Sequence, residues 1–154
     1  MKEKVYSVDN YWDMNVLGGI ADYNGKPCYY TNIFSEAEDD WTNEYLLIPL
    51  PEDIFTLGLE IWNYWLYWLR TYNQTKVPHQ VEYAKQRKNH SFDFLMKADV
   101  DTEEWLKAEQ NYQNHLVFDH YLKANQPTVK AKGVFNGKID WTDTFVEWTN
   151  HENL

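Results

Sequence analysis

The chain is 154 residues long and carries 14 Lys and Arg against 24 Asp and Glu, a formal net charge of −10. That length suits one compact domain, 1–154, with a sizeable core. The single cysteine, Cys28, excludes an internal disulfide framework and a cysteine-based zinc knuckle. The acidic balance repels nucleic-acid phosphates, and eight Trp, twelve Tyr and seven Phe supply an unusually ring-rich core.

The opening MKEKVYSVDN has charges but no apolar segment behind them, so it does not read as a secretory leader and points to a cytoplasmic protein. Alternating side chains between turn signals predict strands at Val5–Val8, Leu17–Tyr23, Cys28–Phe34 and Glu44–Leu50. Asn24-Gly25 accepts the positive φ angles of a tight turn, which makes the second and third of these an antiparallel hairpin.

Pro51 is preformed for a first helical turn, and Glu52 and Asp53 follow where the helix dipole favours negative charge. Ile54, Ile61, Trp65, Trp68 and Tyr72 recur at helical spacing, as do Phe55, Leu59, Trp62, Leu66 and Leu69. Two such stripes predict a buried, Trp-rich helix over about 51–72. Gly58, Glu60 and Asn63 interrupt it, leaving it too short and too polar to span a bilayer.

His79–Met96 reads as a second helix with Lys85, Arg87 and Lys88 on its wet face. A third starts at Asp101 or Thr102, which cap a first turn holding Glu103 and Glu104, and runs to about Lys123 or Ala124. After Pro127, Val129–Phe135 alternates as a strand. A three-residue loop at Phe135-Asn136-Gly137 then places Val129, Ala131 and Gly133 on one face with Ile139, Trp141 and Phe145, and pairs Lys132 with Asp140 on the other. The tail Asn150–Leu154 is expected to fray. The order strands, helices, strands predicts an α+β fold: an antiparallel sheet built from both ends of the chain, covered on one face by about three helices.

Gly19-Ile20-Ala21-Asp22-Tyr23-Asn24-Gly25-Lys26-Pro27, the acidic Asp39-Asp40-Trp41 and the Leu47-Ile48-Pro49 strand leading into the Trp-rich helix resemble a family of hypothetical bacterial proteins. The resemblance covers roughly the first half of the chain and implies a bacterial, cytoplasmic origin. It carries no activity and no catalytic residue.

Chemistry-bearing patterns are sparse. His115 and His120 are five positions apart, which turns the second ring away from the first, so no helical metal pair forms. No nucleophile elbow, cysteine signature or phosphate-cradling glycine loop is present, and no cofactor or metal is expected. His115 and Asp119, four apart on one helix face, form with Asp13 a polar cluster on which a small-molecule enzyme would rest.

The pattern above background is charge segregation: Glu36, Glu38, Asp39, Asp40, Glu44, Glu52, Asp53 and Glu60 occur with no Lys or Arg among them. Such a run steers basic partners. Trp12 and Trp41 lie in polar, loop-like surroundings, where aromatic residues serve as binding anchors or stack sugars and heterocycles. Together, Trp12, Glu36, Glu38, Asp39, Asp40, Trp41 and Glu44 predict an acidic, aromatic-bearing surface for a basic protein partner, of an immunity- or inhibitor-like kind. Both a monomer and an edge-strand homodimer fit this pattern.

Overall fold

The computed structural model describes residues 1–12, 15–75, 102–136 and 143–154. Asp13, the expected helix His79–Met96, and Ile139, Asp140 and Trp141 lie outside them. The elements are β1 (Lys2–Trp12), β2 (Asn15–Tyr23), β3 (Lys26–Ser35), β4 (Asp40–Pro49), α1 (Glu52–Thr75), α2 (Thr102–Ala124), β5 (Val129–Asn136) and β6 (Phe145–Asn153). Two compact units result: Met1–Thr56 with Tyr121–Leu154, and Leu57–His120.

The expected α+β sheet under about three helices is corrected. The six strands form a closed antiparallel barrel in chain order, and two helices occur among the described residues. Closure comes from the first strand, whose Lys2, Glu3 and Lys4 pair with Glu147, Val146 and Phe145 of β6. β1 also shifts register against β2 three times, between Val5 and Ser7, Val8 and Asn10, and Asn10 and Tyr11. Bulges of this kind bend and coil a strand, which a small barrel requires.

Alternation along each strand sends one set of side chains inward. Val5, Val8, Ala21, Cys28, Tyr30, Tyr45, Leu47, Ala131, Val146 and Trp148 form the barrel core, with Phe135 packed against it. Tyr30, Tyr45, Phe135 and Trp148 each contact the other three, at centroid separations between 5.0 Å for Tyr30–Phe135 and 6.3 Å for Tyr30–Trp148. Their polar atoms are satisfied from the wall. Tyr30 donates to Ser7 O at 2.8 Å, Tyr45 to Val16 O at 2.6 Å, and Trp148 Nε1 to Asp22 O at 2.9 Å. Room for the rings is made by small residues: a Cβ on Gly133, the register partner of Trp148, would lie 2.6 Å from that ring.

The β2–β3 hairpin turns at Asn24 and Gly25, both with positive φ, and Tyr23 pairs with Lys26 across it. Glu3 ties the turn to β1, its two carboxylate oxygens accepting from Asn24 N–H at 3.0 Å and Gly25 N–H at 2.7 Å. Ile20, Tyr29 and Ile48 are consecutive register partners on the outer face. Near that face the first turn of α1 sets Phe55 edge-on to Tyr6, centroids 4.9 Å apart.

Three further expectations change. The C-terminal hairpin has a longer connection: Asn136 pairs with Phe145, and Val146 and Trp148 point inward while Phe145 is exposed. The tail does not fray, because Asn153 pairs with Val129, Leu154 N–H donates to Thr128 O, and Tyr23 and His151 hydrogen-bond at 2.8 Å. Within α1 only Trp62 of the tryptophans is fully buried; Trp65 and Trp68 stack on each other at 5.3 Å, half-buried.

Gly19 is the tightest approach in the barrel wall, since a Cβ there would lie 2.1 Å from Ser7 O and 2.6 Å from the Tyr30 hydroxyl. Gly19→Ala therefore pushes two strands apart and should cost about 3 kcal/mol or more. Gly25→Ala meets no atom within 4 Å and should cost only the left-handed backbone term, about 1–2 kcal/mol. Urea midpoints of the two variants read the difference, and equal losses would show that the β1–β2 contact relaxes freely.

Candidate functional site

The β3–β4 hairpin projects the most acidic segment of the chain. β3 ends at Ser35, the turn is Glu36-Ala37-Glu38-Asp39, and β4 begins at Asp40. All four acids here, Glu36, Glu38, Asp39 and Asp40, are exposed. Asp39 takes positive φ, a conformation that Asp tolerates better than most residues. Ser35 Oγ accepts from Glu38 N–H at 3.3 Å, and Asp40 Oδ1 from Trp41 N–H at 2.8 Å.

Behind the turn, Phe34 pairs with Trp41, their rings edge-to-face at 5.0 Å, and Phe34 is 41% exposed. Trp41 is thus a strand residue rather than a loop residue. Trp12 is likewise at the end of β1, its backbone paired with Asn15. Below the ring pair the ladder breaks, for Asn32 pairs with Tyr45 while Phe34 pairs with Trp41. β4 therefore carries the extra residues of a bulge. Side chains satisfy its backbone: Thr42 Oγ1 donates to Ile33 O at 2.7 Å and accepts from Glu44 N–H at 3.1 Å, and Asn32 Nδ2 donates to Thr42 O at 2.7 Å. This stitching fixes the tip relative to the barrel.

The acidic run is not one patch. Glu44 lies beyond the bulge and pairs with Lys130 at 3.3 Å. Glu52 and Asp53 sit in the first turn of α1, at the other end of β4, about 30 Å along the strand from Asp40. Glu60 belongs to the second unit, where its carboxylate accepts from Asn114 Nδ2 at 3.3 Å. The tip keeps Glu36, Glu38, Asp39, Asp40 and Trp41, and gains Phe34. Sequence reasoning missed Phe34, although its position just before an acidic turn, opposite Trp41, is the signal that would find it.

In the second unit, α1 and α2 meet through polar groups. Tyr67 donates to Glu104, Lys107 bridges to the same Glu104 oxygen at 3.1 Å, and Gln110 donates to Asn114 at 3.0 Å. Asn111 is buried, and its Oδ1 has no partner among the described residues. Tyr64 is pushed up to about 12 by burial, helped by Glu104 and Tyr67. His115 is half-buried, and burial lowers its pKa against the opposing pull of Asp119. His115 and Asp119 are thus one turn apart on α2, while Asp13 falls outside the described residues.

Among the described residues no group of three His, Cys, Asp or Glu is arranged to hold a metal ion, and no helix is long and apolar enough to cross a membrane. Compared with protein families, curated proteins and solved structures, the chain matches nothing.

Cys28 is buried, and burial pushes its thiol up to about 11, with Asp22 and Glu3 adding to the shift. Iodoacetamide at about pH 8 should leave it unmodified in the folded protein and alkylate it in denaturant. The fold favours the neutral forms of Cys28 and Tyr64, so their contribution is intact below their unfolded values, about 8.5 and 10. It is lost as pH rises through the folded ones. Urea midpoints should fall between pH 7 and about 11, and a flat profile would contradict this burial.

Proposed function

We propose that this is a cytoplasmic protein-binding protein, inhibitor- or immunity-like, that captures a basic partner at the β3–β4 hairpin tip. The observation that carries this reading is the exposed tip itself. Glu36, Glu38, Asp39 and Asp40 project together, make no ion pair among the described residues, and are backed by the Phe34–Trp41 ring pair. Clustered exposed charge of one sign attracts the opposite sign and accelerates encounter. An aromatic pair beside it supplies the desolvated anchor that charge alone lacks.

Two further features support a surface function over a lumenal one. The barrel interior is filled by Tyr30, Tyr45, Phe135 and Trp148, as expected of a small barrel. Outward positions of β5 carry Lys130 and Lys132, which suits contact with water and not with lipid tails.

The test is capture from a nuclease-treated bacterial lysate at low and moderate salt, using the wild type, Asp39→Lys/Asp40→Lys, and the control Glu52→Lys/Asp53→Lys at the other end of β4. A partner held by the wild type and the control, and lost by the tip variant or by raised salt, is expected. Identical capture by the tip variant and wild type, or no capture at either salt, would sink the reading.

A further inference from the structure

We propose that the seam between β4 and β5 is a strand-addition site, at which an extended Lys- or Arg-bearing segment of the partner pairs along the edge of β5. This rests on the reading of the acidic tip as the partner-binding surface, and adds how the partner is held.

The seam is one of two short ladders in the barrel, the other being the three-pair β1–β6 junction. β4 and β5 share four pairs, Glu44–Lys132, Tyr45–Ala131, Leu46–Lys130 and Leu47–Val129. Each strand continues past that point with its other neighbour, β4 with β3 as far as Ser35–Asp40, and β5 with β6 as far as Asn136–Phe145. Among the described residues, Asp40–Asn43 and Gly133–Asn136 are therefore paired on one side only. No backbone hydrogen bond outside the ladders reaches either segment among the described residues.

The two lips differ. On β4, Trp41 N–H is already taken by Asp40 Oδ1, while Thr42 O is bonded by Asn32 Nδ2 from β3. On β5 no side chain among the described residues caps Gly133–Asn136, and a strand edge directs the N–H and C=O of alternate residues toward the missing neighbour. That is the arrangement used when a peptide extends a sheet.

The surroundings specify the occupant. Val134 is 53% exposed on the outer side of this lip, while Gly133 and Phe135 belong to the inner side, next to Tyr45 and Trp148. A strand laid here alternates between an apolar and a wet face. Its wet face runs toward Asp40 and the turn acids, and the cations at the base of the seam, Lys130 and Lys132, are set against Glu44 as ion-pair and register partner. A net charge of −10 and two acidic tips work against a second copy as the occupant.

The experiment uses the full chain and four acetylated, amidated octapeptides: alternating Lys and Val, its Glu and Val counterpart, and two Lys and Val versions N-methylated on one or the other set of alternate backbone nitrogens. We expect the Lys and Val peptide to bind, the acidic one not to, and one methylated set to weaken binding by about tenfold or more while the other does not. Bound peptide should slow hydrogen exchange of alternate amides within Gly133–Asn136. If both methylated peptides bind as well as the parent, charge alone holds the peptide and strand addition is overturned with the tip reading intact. Protection elsewhere, or no binding, also overturns it, whereas the tip reading is judged separately by the lysate capture. Protection of the same amides rising with protein concentration alone would make the occupant a second copy and overturn the proposal.

Discussion

Four rings, Tyr30, Tyr45, Phe135 and Trp148, meet inside the barrel, and most of the wall is arranged around them. Each aromatic pair adds about 0.5–1.5 kcal/mol beyond the area it buries, and the six pairs here close on one another. The rings come from four strands, β3, β4, β5 and β6, so the C-terminal strand cannot be withdrawn without opening the cluster. The wall then conforms to the rings: Gly19 where the Tyr30 hydroxyl approaches Ser7, Gly133 where the Trp148 ring passes, and Ala21 and Ala131 between them. With the interior occupied, the chemistry open to a partner is at the rims and on the outside.

The second unit follows a different logic. In α2 the buried positions include Asn111 and Asn114, while Leu106, Leu116 and Val117 are exposed. Its contact with α1 includes Glu60, Tyr67, Glu104, Lys107 and Asn114, a polar seam beside the buried Ala108 and Phe118. A seam of this kind contributes less than packed hydrocarbon and depends on every member finding its partner. Asn111 Oδ1 is buried without a partner among the described residues.

The legible parts of the sequence were those set by local backbone chemistry. Asn24-Gly25 fixed a turn because few other dipeptides accept its φ angles, and Pro51 with Glu52 and Asp53 marked a helix start that the structure reproduces. Closure was not legible. A period of two says which side chains face inward, but not whether the first strand meets the last, and that junction depends on three pairs at Lys2–Lys4. The last hairpin failed for a related reason: an assumed short loop sent Phe145 inward, whereas a longer connection gives that role to Val146 and Trp148. The acidic run read as one feature because composition ignores direction; β4 separates Asp40 at its start from Asp53 in the first turn of α1 beyond its end. The bulge that isolates the tip rests on Asn32 and Thr42, whose local hydrogen bonds leave no periodic trace.

An open strand edge is a hazard, since it pairs with any extended chain, including another copy of itself. Acidic residues beside such an edge act on both outcomes at once. They raise the cost of self-pairing, because two copies bring two sets of carboxylates together in water of limited screening length. They lower the cost of pairing with a cationic segment by the same Coulomb term with the sign reversed. The β4 lip carries a second restriction, because Asp40 Oδ1 already holds the Trp41 N–H. In the proposed reading, charge at the tip and an edge at the seam are parts of one device: the first would select by sign, and the second would read whether the incoming segment is extended.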